Sequence, residues 1–158
     1  MYAFTISLTL FMVTFIPNCS SAPATNLAED KYQITEITFE QSGSWGVQYG
    51  YKVVLRNDGT AEYVGDINAK RTGKYRGQIS KDQFERLAGL MTKNNYFMLK
   101  DKYRAPVTDT ETITTSVVYN EGRKVVENYG GGGSKELSEI EQAIVKAIEQ
   151  IMWEKDES

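Results

Sequence analysis

The strongest constraint on the fold is Asn57-Asp58-Gly59, a turn sequence set between two stretches in which apolar and polar residues alternate. Before it, Tyr51, Val53 and Leu55 share one side of 51–56; after it, the chain resumes as Thr60-Ala61-Glu62-Tyr63-Val64. Successive side chains of a strand point to opposite faces and Asp-Gly suits a tight hairpin, so this segment predicts two antiparallel strands with one buried face. The same period recurs at Thr35, Ile37 and Phe39, and again at Ile113, Thr115, Val117 and Tyr119. Glu121-Gly122 turns the latter strand into 124–129, and a further strand is expected over 69–78, where Gly73 and Gly77 mark bends or close approaches.

Two segments change period. Ser80-Lys81-Asp82-Gln83 is a capping box, and Phe84, Leu87, Ala88 and Met91 follow at helical spacing, which predicts a helix of about three turns ending near Asn94 and Asn95. Ser134 caps a second helix whose buried stripe is Leu137, Ile140, Ile144, Ala147, Ile148 and Ile151. Hairpins and two amphipathic helices together predict an α+β fold, an antiparallel sheet of about five strands with both helices on one face and the other face largely open. The expected boundaries are a leader at 1–24, a linker at 25–31, one domain at 32–153 and a frayed tail at 154–158. A domain of roughly this size buries about two thirds of its surface in a single core.

The leader reading rests on an uncharged apolar run at 4–17 followed by Ser20, Ser21, Ala22, Pro23, Ala24 and Thr25, which has the form of an export signal and is short for a membrane span. No Lys or Arg precedes it. Two endings stay open. Ser20-x-Ala22 or Ala22-x-Ala24 would suit a peptidase that selects small residues, giving a free periplasmic or secreted protein. Ile16-Pro17-Asn18-Cys19 resembles a lipoprotein box, although Pro17 and Asn18 depart from its usual small residues; Cys19 would then carry a lipid anchor, the only contact with a membrane that the sequence suggests. Cys19 is the sole cysteine, so the domain holds no internal disulfide. The net charge is −3, with Lys and Arg scattered, which argues against nucleic acid as a partner.

Two further stretches carry a likeness to a known family. The first is Gly43-Ser44-Trp45-Gly46-Val47-Gln48-Tyr49-Gly50-Tyr51; the second runs Tyr103-Arg104-Ala105-Pro106-Val107-Thr108-Asp109 and closes with Val126-Glu127-Asn128-Tyr129-Gly130-Gly131. Over about 33–151 the chain resembles the DUF6438 family of exported bacterial proteins of unknown function. The resemblance implies two cysteines in the first loop and a histidine near the end of the second stretch. Here Ser44 and Gln48 stand at the cysteine positions and Asn128 at the histidine position, so whatever disulfide, redox or metal site the family's cysteine pair forms is absent. The resemblance brings fold and compartment, and no activity.

Chemistry is sparsely provided for. The chain has no histidine, which removes the usual general base, the usual zinc ligand and a Ser-His-Asp triad. Asp101, Asp109, Glu111 and Glu127 are the carboxylates that the layout could bring beside Tyr103 and Tyr129, as an acid–base pair for a glycan or as oxygen ligands for a cation. No calcium-loop spacing accompanies them, and Thr108 and Asp109 serve equally well to hold the Ala-Pro turn through backbone hydrogen bonds. Gly130-Gly131-Gly132-Gly133-Ser134-Lys135 lacks phosphate-loop spacing and reads better as a flexible connection, with an anion at the helix start as the alternative. Trp45 and Tyr49, among three glycines, either form a recognition patch or pack the loop in place of a cystine.

Three functions follow. The favoured one is a non-catalytic envelope module that needs no cofactor and no metal, binding a protein, peptide or glycan through Trp45, Tyr49, Tyr103, Asp109, Glu127 and Tyr129. The second is a hydrolase or cation site built on Asp109 and Glu127. The third is a structural role in which a partner strand augments a sheet edge.

Overall fold

The computed structural model describes residues 32–43, 50–120 and 122–157. Eight strands form one sheet: β1 (Ile34–Ser42), β2 (Tyr51–Arg56), β3 (Thr60–Gly65), β4 (Gly73–Gln78), β5 (Lys102–Arg104), β6 (Thr112–Tyr119), β7 (Gly122–Tyr129) and β8 (Glu154–Lys155). Their order across the sheet is β5-β7-β6-β1-β2-β3-β4-β8. Helix α1 (Lys81–Lys93) and a single 3-10 turn (Tyr96–Met98) lie between β4 and β5, and α2 (Lys135–Gln150) joins β7 to β8.

The expected antiparallel sheet of about five strands is corrected to an eight-stranded mixed sheet. The α+β class and the two helices stand. Pairing is antiparallel throughout except at β5, which runs parallel to β7 with Tyr103 beside Asn128. Neither added edge strand announces itself by alternation. β5 is three residues long and is held by its neighbours, Glu127 N–H donating to the Asp101 carbonyl at 2.8 Å and Ala105 N–H to the Tyr129 carbonyl at 3.0 Å. β8 lies in the tail expected to fray; it pairs with β4 through Tyr75–Lys155 and Arg76–Glu154. Trp153 fixes that end by donating its indole N–H to the Ile148 carbonyl at 3.1 Å and resting 5.5 Å from the Tyr63 ring. The strand expected over 69–78 begins only at Gly73.

Register explains the core. Val126, Thr115, Phe39, Val53, Tyr63 and Tyr75 follow one another across β7, β6, β1, β2, β3 and β4 on one face. That face is covered by Phe84, Leu87 and Met91 of α1 and by Leu137, Ile140, Ile144 and Ile148 of α2, all buried in the same cluster. Burying each such side chain is worth about 1.5–3 kcal/mol. Among the described residues no helix is long and apolar enough to cross a membrane.

The capping box at Ser80 forms as the sequence predicts: its hydroxyl accepts the Gln83 N–H at 3.2 Å, and its own N–H donates to Gln83 Oε1 at 3.3 Å. Gln83 also donates to Gln150 at 2.8 Å, so the start of α1 is tied to the end of α2. Ser80→Ala removes an acceptor for a helix-terminal N–H and is expected to cost about 1 kcal/mol, read as a lower midpoint in urea with unchanged slope.

Candidate functional site

The end of the sheet where β1 and β7 finish and β2 and β6 begin carries a polar cluster beneath α2. It is built on Asn128, whose place in β7 puts it on the helix-covered face beside Ile113 of β6 and Tyr103 of β5. Asn128 is 3% exposed, and its amide nitrogen lies 3.0 Å from both carboxylate oxygens of Glu141 on α2. Its amide oxygen accepts the Gly133 N–H at 2.9 Å. One side chain thus pins the helix and the loop that precedes it.

Glu141 occupies the buried stripe of α2, one residue after Ile140 and three before Ile144, and is 7% exposed. Burial pushes its carboxyl above the usual range; the Asn128 amide opposes this, while the like charge of Glu111 adds to it. Glu111 in turn accepts a short hydrogen bond from the Gln41 amide at the end of β1. Tyr51, at the start of β2, stacks 5.4 Å from Tyr63. Its phenol is pushed up to about 12, chiefly by burial, then by Tyr63, Glu111 and Glu149. The cluster therefore sets the buried Glu141 carboxylate near the exposed Glu111, and among the described residues no cationic side chain is bonded to either. Among the described residues no group of three carboxylates, histidines or cysteines is placed to hold a metal.

Above this cluster the glycine run departs from the flexible connection expected of it. Gly130 and Gly131 have φ of 62° and 70°, and a Cβ on Gly130 would lie 2.6 Å from Val107 and 2.9 Å from Thr110. The run is a close-fitting turn against the 105–111 loop, and its amides are used internally: Gly130 N–H donates to the Glu111 carbonyl, Gly132 N–H to that of Tyr129 and Gly133 N–H to Asn128. The Ser134 hydroxyl accepts the Leu137 N–H. This removes the anion cradle as an attractive reading of that stretch.

Among the described residues, those singled out in sequence stand on different faces and loops. The sheet separates them. Tyr103 is half-buried against the core and its hydroxyl accepts the Lys100 N–H at 3.2 Å, a loop-holding contact. Glu127 and Tyr129 stand on the opposite, helix-free face. There Glu127 pairs with Lys102 at 3.4 Å, and Arg104 lies 4.7 Å over the Tyr129 ring. Asp109 is exposed in the loop with φ 56°, a left-handed conformation that Asp tolerates better than most residues. Glu127 lines a depression of about 320 Å³ with Asp101, Arg123 and Lys124, and Asp109 is not part of that lining. Trp45, Tyr49 and Cys19 lie outside the described residues.

Glu141 was missed in sequence, although a signal exists: it is a glutamate four residues after Leu137 on the apolar stripe of an amphipathic helix. Asn128 was noticed only as a departure at the histidine position.

A model of the family described as a domain of unknown function, DUF6438, matches residues 35–148. The match runs from β1 to near the end of α2, and so includes both Asn128 and Glu141. Cys19, the single cysteine, lies outside it, so the matched part has no cysteine pair. No curated protein matches the chain.

Proposed function

The chain belongs to the DUF6438 family, and from that premise we propose that it is a non-catalytic interaction module of the cell envelope, binding a protein partner across the helix-free face of its sheet. One observation carries this reading. Register places Val125, Ser116, Thr38 and Val54 in a row across β7, β6, β1 and β2, and the next row reads Lys102, Glu127, Thr114, Glu40, Lys52 and Val64. Ser116 and Thr38 in the middle are each only 4% exposed, so the accessible part of this face is the valines and the charges of both signs around them, a mixture that suits a protein surface better than a polyanion or an anionic bilayer. Val64 and Val125 are 46% and 42% exposed on this face. Glu127 and Tyr129, two of the residues expected from sequence, belong to it.

Export through the 1–24 leader, with Cys19 either lipidated or removed, completes the proposal. A mature species beginning at Cys19 with added acyl mass would place the module on a membrane; a chain beginning near Pro23 or Thr25 would make it free. The hydrolase alternative has less support, because Glu127 is already paired with Lys102 and Asp109 belongs to a separate loop.

The test is a photoreactive amino acid at Val125 or Val64 in a bacterium expressing the chain with its own leader. Discrete protein adducts are expected at both positions, lost when the opposite end of the row is changed by Val54→Glu. Absence of adducts from a normally folded protein would sink the reading. Hydrolysis of a cell-wall glycan or peptide that disappears in Glu127→Gln would replace it with the second function.

A further inference from the structure

The outer surface of the two helices carries a feature that the sheet face does not explain. α1 and α2 run antiparallel, with Gln83 bonded to Gln150 at one end and Asn94 bonded to the Glu136 carbonyl and the Glu139 side chain at the other. Between them lies a groove of about 530 Å³. Its floor is Leu87, Leu90, Ala143 and Ala147, and Gly89 leaves one wall low. Among the described residues, the charged ones that line it are Arg86, Lys93 and Lys146.

That rim carries one sign of charge. The chain is acidic overall, with a net charge of −3, and of the carboxylates on the two helices Glu85 pairs with Lys81 and Glu139 with Lys135. Among the described residues no ion pair joins Arg86, Lys93 or Lys146 to a carboxylate, and no carboxylate lines the groove. An apolar floor with an unbalanced cationic rim is complementary to a surface that is apolar in the middle and acidic at its borders.

We propose that the α1–α2 groove is a docking site for an acidic amphipathic helix of a partner protein. The groove offers side chains and no unpaired strand edge, so it suits a helix laying apolar residues at i, i+3, i+4 and i+7 along the floor. From Gln83 to Lys93 the groove wall is about 15 Å long, which accommodates roughly three turns. Small residues at Gly89, Ala143 and Ala147 let a third helix approach closely. Asp or Glu on the flanks of that helix would meet Arg86, Lys93 and Lys146. A second copy of this chain is a poor occupant, because the two cationic rims would face each other. A flat anionic bilayer would reach the rim and leave the floor uncovered.

The experiment pans a phage library of randomised 16-residue peptides against the purified protein, with R86E/K93E/K146E as the counter-selecting variant. Enrichment of sequences with apolar residues at helical spacing and flanking Asp or Glu is expected. A labelled synthetic representative should bind by fluorescence anisotropy, weaken with added salt and lose about tenfold or more in affinity to the charge-reversed protein. Ala143→Trp, which fills the floor and keeps the rim, should lose binding as well, and R86Q/K93Q/K146Q serves if charge reversal perturbs folding by circular dichroism. No enrichment, enrichment of basic or extended sequences, or binding unchanged in these variants would overturn the proposal. So would binding to phosphatidylglycerol vesicles that needs the same three cations and survives Ala143→Trp, since that result assigns the rim to a membrane.

Discussion

Asn128→Ala is expected to destabilise the protein by about 2–4 kcal/mol at neutral pH, because it strips a buried carboxylate and a loop N–H of their partner in one step. Glu141 would keep its burial and its repulsion from Glu111 while losing the amide that favours its charged form. The sign of the pH dependence follows. A carboxyl whose folded pKa is raised binds its proton more tightly in the native state, so its contribution to stability is fully present below the unfolded carboxylate value. That contribution is lost as pH rises through the raised folded value. Removing Asn128 raises the folded value further, so the loss in Asn128→Ala should be smaller at pH 5 than at pH 8. Urea midpoints at the two pH values check this. The double variant Asn128→Ala/Glu141→Leu should recover much of the loss, since replacing both partners with apolar groups leaves no buried charge. An equal loss at both pH values, with no recovery in the double variant, would mean that Asn128 acts through packing alone.

Tyr96 is the second position of large effect. It sits in the 3-10 turn after α1, fully buried, with its hydroxyl 2.8 Å from the Thr115 carbonyl and 2.9 Å from the Thr115 hydroxyl on β6. Burial pushes its phenol well above the ordinary range, so the group stays neutral and tethers the turn to the middle of the sheet. Tyr96→Phe keeps the ring and leaves Thr115 Oγ1 short of a partner in the core, a cost of about 1–3 kcal/mol. Tyr96→Ala also opens a cavity between the 3-10 turn and β6 and should cost about 3–5 kcal/mol. Chemical denaturation of both variants separates the hydrogen bond from the packing. A Phe variant as unstable as the Ala variant would show that the hydroxyl, and not the ring, carries the site.

These two residues differ in how far the sequence announces them. Tyr96 follows a helix that its own capping box and apolar spacing predict, and opens the hydrophobic stretch Tyr96-Phe97-Met98-Leu99. Asn128 and Glu141 lie thirteen positions apart with nothing local to link them; each is an ordinary polar residue until the sheet and helix are superposed. The acidic residues Asp109 and Glu127 show the limit from the other side. Their sequence neighbourhood left open whether they meet; Glu127 stands on the helix-free face of β7 and Asp109 lies exposed in the loop before β6. The two edge strands were illegible because β5 and β8 owe their pairing to β7 and β4 and carry no alternation of their own.

What the sequence determined by itself is whatever local geometry enforces. Alternation at 51–56 and 60–64 around Asp58-Gly59 required a hairpin, Ser80 and Gln83 required a helix start, and the stripe from Leu137 to Ile148 required a helix with one buried face. The tertiary structure alone decided which strands became neighbours, which carboxylate was taken out of water, and which cations were left facing an empty groove. Those outcomes depend on what stands opposite a residue across the sheet or across a helix pair, and burial, charge coupling and complementarity are set by that opposition rather than by position along the chain.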